Sequence, residues 1–133
     1  MAQATQRLQR YLDDELGECR DEDVERRLDE LTTLEAGLGT AQAEAELDVL
    51  SALSSETRYT LVRVLVAAGE ELCVCELNAV VDVTESGLSH AFSALVDAGL
   101  LEGRKDGRWK KYRATNRAVA LVTVLEGSVS TNE

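Results

Sequence analysis

The chain has 133 residues, a hydrophobic fraction of 44% and a formal charge of −11. That length fits one domain, or one domain with an extension, and that apolar content excludes disorder throughout. No run approaches the ~18 apolar residues of a membrane span, and Met1 to Glu15 lack the apolar centre of a secretory signal, so a cytoplasmic chain with no membrane partner is expected.

Thr5 to Leu16 forms a first amphipathic stretch, with Leu8, Tyr11, Leu12 and Leu16 at helical spacing. Gly17 breaks it, and the acids Asp21, Glu22 and Asp23 favour a new helix start. A helix from about Glu22 to Ala36 follows, with Val24, Leu28, Leu31 and Leu34 turned inward, and Gly37-Leu38-Gly39 ends it. Thr40 is placed to cap a third helix running through Leu47, Leu50 and Leu53. None of these helices is apolar enough to be a core alone. Residues 1–45 therefore read as an acidic helical extension that packs on the following domain or on a second copy of itself.

Residues 46–126 carry the denser pattern. Ser54-Ser55 offers a cap for Glu56 to Ala68, whose Leu61, Val62, Leu65 and Val66 make a buried stripe. A short helix spans about Cys73 to Val81, Asp82-Val83-Thr84 is a turn, and Thr84 caps a helix that Gly99 closes. These two helices have the spacing of a helix-turn-helix. On the second, Leu88, Phe92, Leu95 and Val96 face inward, while Ser86, Ser89, His90 and Ser93 share a small, hydrogen-bonding face. Leu100-Leu101 begins a strand, Lys105-Asp106-Gly107 turns, and Trp109 to Ala114 returns, with Trp109 expected to anchor the hairpin in the core. Asn116 is placed to cap a last helix, Arg117 to Leu125, apolar around nearly its whole circumference. Such a helix buries its second side on a partner, so a homodimer is expected. Residues 127–133 read as a flexible tail. The fold class is mainly α with a small β-hairpin: a winged helix-turn-helix with an N-terminal helical extension.

Net acidity argues against nucleic acid, but the distribution of charge argues for it locally. Arg104, Lys105, Arg108, Lys110, Lys111, Arg113 and Arg117 lie within 14 positions against one acid, Asp106, and hold half of the chain's 14 basic residues. A basic hairpin beside a smooth polar helix face is what a winged helix-turn-helix offers to double-stranded operator DNA. The expected DNA-binding residues are Ser86, Ser89, His90 and Ser93 on the helix, with Arg104, Lys105, Arg108, Lys110, Lys111 and Arg113 on the hairpin. The acids are spread over most of the chain, as suits a very salty cytoplasm. Binding constants fall roughly as the power −0.9 of salt concentration per phosphate neutralised, so groove contacts and dimer geometry must then carry more of the affinity.

Ser54-Ser55-Glu56-Thr57-Arg58, Glu71-Leu72-Cys73-Val74-Cys75-Glu76-Leu77, Ser89-His90, Asp97-Ala98-Gly99-Leu100 and Gly107-Arg108-Trp109 occur in an order and spacing that resembles the ArsR-type winged-helix repressors, the arsenical and heavy-metal sensors of prokaryotes. The resemblance spans about Leu47 to Leu125, and with the acidic surface it points to a halophilic prokaryote. It implies a homodimer that occupies operator DNA and releases it when an inducer binds. Four features depart from the family pattern. Glu56 stands where proline is common, and Gly87 and Ser93 replace a helix former and a basic residue. The first ~45 residues exceed the family core. The zinc site that some members build on the last helix cannot form, because His90 is the only histidine.

The chain holds three cysteines, Cys19, Cys73 and Cys75. An odd number in a cytosolic chain argues against a structural disulfide framework. Alone, Cys-x-Cys is a weak signal, since free cysteines are often merely buried. Here both thiols fall in the expected first helical turn, which favours thiolate, while Glu71 and Glu76 oppose it, so partial ionisation is expected. Two positions apart on a helix, side chains diverge by about 200°, but at a frayed first turn they can converge on one soft ion. Cys19 is the only further sulfur available to complete a trigonal site for arsenite, or a partial site for cadmium, lead or zinc. In the similar cadmium-type sensors an N-terminal arm supplies such cysteines, sometimes across the dimer.

The expected function is a DNA-binding repressor that releases its operator when a thiophilic metal or metalloid binds these thiolates, with that ion as regulatory ligand and no organic cofactor. Because the sensor helix is the first half of the helix-turn-helix, a pull on its N-terminus would shift the recognition helix. Two alternatives stand beside this: a thiol-redox-sensing regulator, and an acidic dimeric protein-interaction module. An enzyme is not expected, since there is no glycine-rich phosphate loop and no nucleophile with a paired base.

Overall fold

The computed structural model describes residues 2–129. The chain divides into two compact units between Glu44 and Ala45. The first holds α1 (Ala2–Leu16) and α2 (Asp21–Ala36), and the boundary falls within α3 (Thr40–Leu53). At the start of α2 the Asp23 carboxylate accepts the Arg20 backbone N–H at 3.0 Å, satisfying a donor the helix leaves open. Leu12 and Val24 are buried. The wider inward face expected of α2 does not form: Leu28 and Leu31 are 39% exposed and Leu34 is 67% exposed. The two helices α1 and α2 pack on each other, and a periodic apolar face fixes a direction without supplying a second partner.

The second unit adds α4 (Glu56–Ala68), β1 (Leu72–Cys73), α5 (Val74–Val80), α6 (Glu85–Asp97), β2 (Leu101–Asp106), β3 (Trp109–Ala114) and α7 (Asn116–Ser128). Its core is one contiguous cluster in which Leu61, Val62, Leu65, Leu77, Leu88, Leu95, Leu100 and Val122 are almost fully buried. Ser55 caps α4 by accepting the Arg58 N–H, and the Arg58 guanidinium donates to the Ala52 carbonyl at 2.7 Å and the Ser51 carbonyl at 3.2 Å. One Ser-Ser-Glu-Thr-Arg segment thus starts one helix and closes the one before it.

On α6 the inward face is Leu88, Ala91, Phe92 and Leu95, whereas Val96 is 40% exposed. The phase of the helix therefore sits slightly off the Leu88-Phe92-Leu95-Val96 stripe, with Ala91 in place of Val96. Thr115, not Asn116, caps α7, its hydroxyl accepting the Ala118 N–H at 3.3 Å. The expected tail from residue 127 begins as helix, because α7 continues through Ser128; its residues 130–133 lie outside the described residues.

The hairpin pairs Leu101 with Ala114 through to Asp106 with Trp109, so Lys105 and Asp106 belong to β2 and the turn is the two-residue loop Gly107-Arg108, not the expected Lys105-Asp106-Gly107. Gly107 has φ 64°, and among the described residues no non-glycine residue has positive φ. A positive φ at the first loop position alone is the mark of a type II′ turn, which follows the right-handed twist of the strands. The expected hairpin gains a third strand. Leu72 pairs with Tyr112 and Cys73 with Lys111, giving a sheet ordered β1-β3-β2. Two residues carry too short a pattern to be read as a strand, and only the partner's free edge makes them one.

Candidate DNA-binding face and cysteine sensor

The recognition helix is held from three sides. Thr84 caps it, its hydroxyl accepting the Gly87 N–H at 3.0 Å. Gly87 is required by space: a Cβ there would lie 2.8 Å from Val83 Cγ1 and 3.1 Å from Thr84 Oγ1. The glycine that departs from the family pattern is thus where the turn packs against the cap. Phe92 stacks on Tyr112 of β3, ring centroids 4.1 Å apart and planes 4° from parallel, which fastens α6 to the wing. At the far end, Arg117 donates to the Ala98 carbonyl at 2.8 Å, so this cation closes a helix and does not face outward for DNA. Ser86, Ser89, His90 and Ser93 are all exposed on α6.

The wing carries less free charge than its sequence implies. Arg104 forms a forked pair with Glu71, which precedes β1, and the hydrogen bond from Arg104 holds the Glu71 carboxyl below its ordinary value. Lys111 pairs with Asp106 at 3.0 Å, and its hydrogen bond likewise lowers the Asp106 carboxyl. Arg113 pairs with Glu102 across the strands at 2.6 Å. Three of the six expected wing contacts are therefore engaged within the protein. Among the described residues, no carboxylate lies within ion-pair reach of Lys105, Arg108 or Lys110, which cluster at the tip. Glu71 and Glu102 lie outside the basic run in sequence and meet it only in the folded sheet.

Trp109 is not the expected core anchor. It is 47% exposed, with the Arg108 guanidinium 4.8 Å from its ring centroid. Strand parity explains this: Trp109 shares a face with Lys111 and Arg113, while Tyr112 turns inward against Phe92. Burial pushes the Tyr112 phenol up. Lys110 lies over the Tyr112 ring at 5.4 Å, at the rim of that inner face. The residue sequence reasoning missed is Tyr112, although its alternation with charged neighbours carried the signal.

The two candidate sensor cysteines, Cys73 and Cys75, sit at a junction of strand and helix. Cys73 ends β1 and is the N-cap of α5, not part of its first turn, while Cys75 lies in that turn. Cys73 Sγ accepts the Cys75 N–H at 3.3 Å, and Glu76 accepts the Cys73 N–H at 2.8 Å. The extended backbone at Cys73, φ −70° and ψ 147°, removes the divergence that two helical positions would impose, and the two sulfurs converge to 2.6 Å. The Cys75 thiol donates to Cys73, which lowers the Cys73 pKa and raises that of Cys75. Cys73 is buried and Cys75 exposed.

Cys19 belongs to the first unit and is half-buried; its burial, then Asp13, Asp23 and Asp21, push its thiol up. Among the described residues no group of three or more His, Cys, Asp or Glu side chains is gathered as a metal site. Two convergent soft donors nevertheless fit part of the coordination shell of a thiophilic ion.

A capped recognition helix on a helix-turn-helix, with a three-stranded wing fastened to it, defines a winged-helix DNA-binding protein. The family description "Bacterial regulatory protein, arsR family" matches residues 55–102, from the α4 cap through the start of the wing. A protein of Halobacterium salinarum, which its name proposes as an arsenical resistance operon repressor, ArsR, is 54% identical over 125 residues, covering 94% of this chain and 97% of the relative. A second Halobacterium salinarum protein with a name of the same kind, ArsR2, is 42% identical over 81 residues, 61% of this chain and 68% of the relative. Among solved structures, the transcriptional repressor BigR from Xylella fastidiosa superposes with a TM-score of 0.56 at 25% identity, over 85% of this chain and 99% of that one. The chain belongs to the ArsR family of transcriptional regulators and is not an enzyme. The first relative's 125 matched residues also reach well into the acidic first unit, since at most eight of 133 positions are left unmatched.

Proposed function

We propose that the protein is a homodimeric repressor of a metal or metalloid resistance operon, which binds double-stranded operator DNA in the cytoplasm and releases it when a thiophilic ion is captured by Cys73 and Cys75. The observation that carries this reading is the convergence of those two sulfurs at the start of the first helix of the helix-turn-helix. The names of the two Halobacterium salinarum relatives favour an arsenical as inducer. Cys19, or a sulfur of a second subunit, would supply the third donor that arsenite needs.

On DNA, α6 lies in the major groove with Ser86, Ser89, His90 and Ser93 toward base edges and phosphates, and Lys105, Arg108 and Lys110 meet the backbone from the wing tip. Dimerisation is supported by apolar side chains without cover on α3 and α7: Leu47, Leu50, Val119, Val124 and Leu125 are all exposed. Capture of an ion can reach DNA by two routes. The start of α5 moves the helix-turn-helix, and β1 moves the wing through its pairing with β3 and the Glu71–Arg104 fork. A coupling of about 1–3 kcal/mol, typical between linked sites, suffices to empty an operator at ordinary occupancy.

The test is a mobility-shift assay with the DNA upstream of the gene, at high potassium, with arsenite, cadmium and zinc added separately. Release by at least one ion is expected, and its loss in Cys73→Ser and Cys75→Ser. Release that persists in both variants would sink the reading. The close approach of the sulfurs also favours a second reading, a dithiol that oxidises. Peroxide that empties the operator where metals do not would select it.

A further inference from the structure

The sensor cysteines do not face bulk solvent alone. They open into a cleft of about 460 Å³ between the start of α5, the flank of α6 and the wing. The aromatic residues Phe92 and Tyr112 border it, with Trp109 at the end of β3 and the cations Arg108 and Lys110. These are two of the three wing cations that no carboxylate of the described residues engages. A bare ion uses almost none of that space, whereas a cavity of about 150 Å³ is enough for benzene. The donor count points the same way. Trivalent arsenic takes three ligands, and the second unit gathers two sulfurs at this place and no third among its described residues.

We propose that this cleft is a binding site for monosubstituted trivalent arsenicals whose organic group is aromatic and anionic. The proposal rests on the thiol-inducer reading above and narrows its ligand class. An arsenical of the form R–As(OH)₂ brings its own third ligand, the arsenic–carbon bond. Cys73 and Cys75 each form one As–S bond, the two hydroxyl groups leave as water with the two thiol protons, and arsenic stays trivalent. No oxidant, reductant or third cysteine is required. The organic group then lies against the aromatic rings, and its negative charge faces Arg108 and Lys110. Ser89 of the recognition helix also borders the cleft, so the bound group occupies space between α6 and the wing and neutralises cations that DNA phosphates would use. Release is then partly direct competition at the DNA face.

The test uses the full chain without DNA and the probes arsenite, phenylarsonous acid and 4-carboxyphenylarsonous acid. Binding is followed by free-thiol loss and by fluorescence of Trp109, the only tryptophan. The carboxyphenyl compound is expected to bind at least about tenfold tighter than the phenyl compound, a margin worth about 1.4 kcal/mol. It should consume two thiols per chain, with the same affinity in Cys19→Ser. Arg108→Glu with Lys110→Glu should erase the margin while phenyl binding persists, which also shows that the variant is folded. Equal affinity for the two aryl compounds, or loss of their binding in Cys19→Ser, would overturn the proposal. Arsenite that consumes the thiols when the aryl compounds show no preference leaves the general reading standing and removes only this one. Arsenicals that leave the thiols free also overturn this proposal, while cadmium or zinc that empties the operator in the mobility-shift assay keeps the general reading.

Discussion

The recognition helix and the wing, which the proposed reading brings to DNA from neighbouring positions, are built on opposite terms. Helix α6 is fixed by burial, with Leu88, Phe92 and Leu95 in the core, and its outward face has small hydroxyls and one imidazole but no cation. The wing is the reverse, a two-residue turn joining a mostly exposed strand β2 to a half-buried strand β3, organised by ion pairs that consume half its expected contacts. Rigid geometry without charge on one side and charge on a lightly packed support on the other divides the work. In the proposed complex the helix would set register and the tip of the wing would supply attraction, while β1 ties the wing to the thiols.

Damage to the helix side costs most. Leu95→Ala removes a fully buried side chain from under α6 and should destabilise the second unit by about 2–5 kcal/mol, read as a lower midpoint in denaturant unfolding. On the wing side, reversing Lys105, Arg108 and Lys110 to Glu should weaken operator binding and lower the slope of log K against log salt by about 2.7, at about 0.9 per phosphate for three contacts. Neutralising Arg104, Lys111 and Arg113 should change that slope much less, since each already faces a carboxylate. Equal slopes for the two triple variants would contradict the division within the wing.

Smaller effects probe the same contrast. His90→Ala should cost about 1–3 kcal/mol on operator DNA if it reads a base edge, with little change on random DNA, as measured by competition. Gly107→Ala places a Cβ at positive φ and should cost about 1–2 kcal/mol of local stability, visible as faster amide exchange in β2 and β3. The smallest change is chemical. In Cys75→Ala the hydrogen bond that depresses Cys73 is gone, so the ultraviolet thiolate titration of Cys73 should move to higher pH. In the unaltered chain the thiolate forms as pH rises through the depressed value, so capture of soft ions should weaken as pH falls through it.

Neighbours along the chain were enough to specify one set of features. The helical periods, the Ser55 and Thr84 caps, the presence of a hairpin turning at Gly107 and the serine face of α6 follow from local backbone chemistry and side-chain spacing, which need no distant partner. The cysteine pair was legible as a candidate, but its geometry was not. Only the pairing of Leu72-Cys73 with β3 draws Cys73 out of the helix and brings the two sulfurs together. Which charges are free is likewise a matter of tertiary contact, because Glu71 and Glu102 approach the wing from outside its basic run. The fold also turned Trp109 outward and Tyr112 inward, a choice of strand face that period-2 alternation leaves open until Phe92 takes one side. A run of residues fixes local conformation through near neighbours, whereas ion pairing, burial and sulfur convergence depend on groups far apart in sequence that only folding brings into contact.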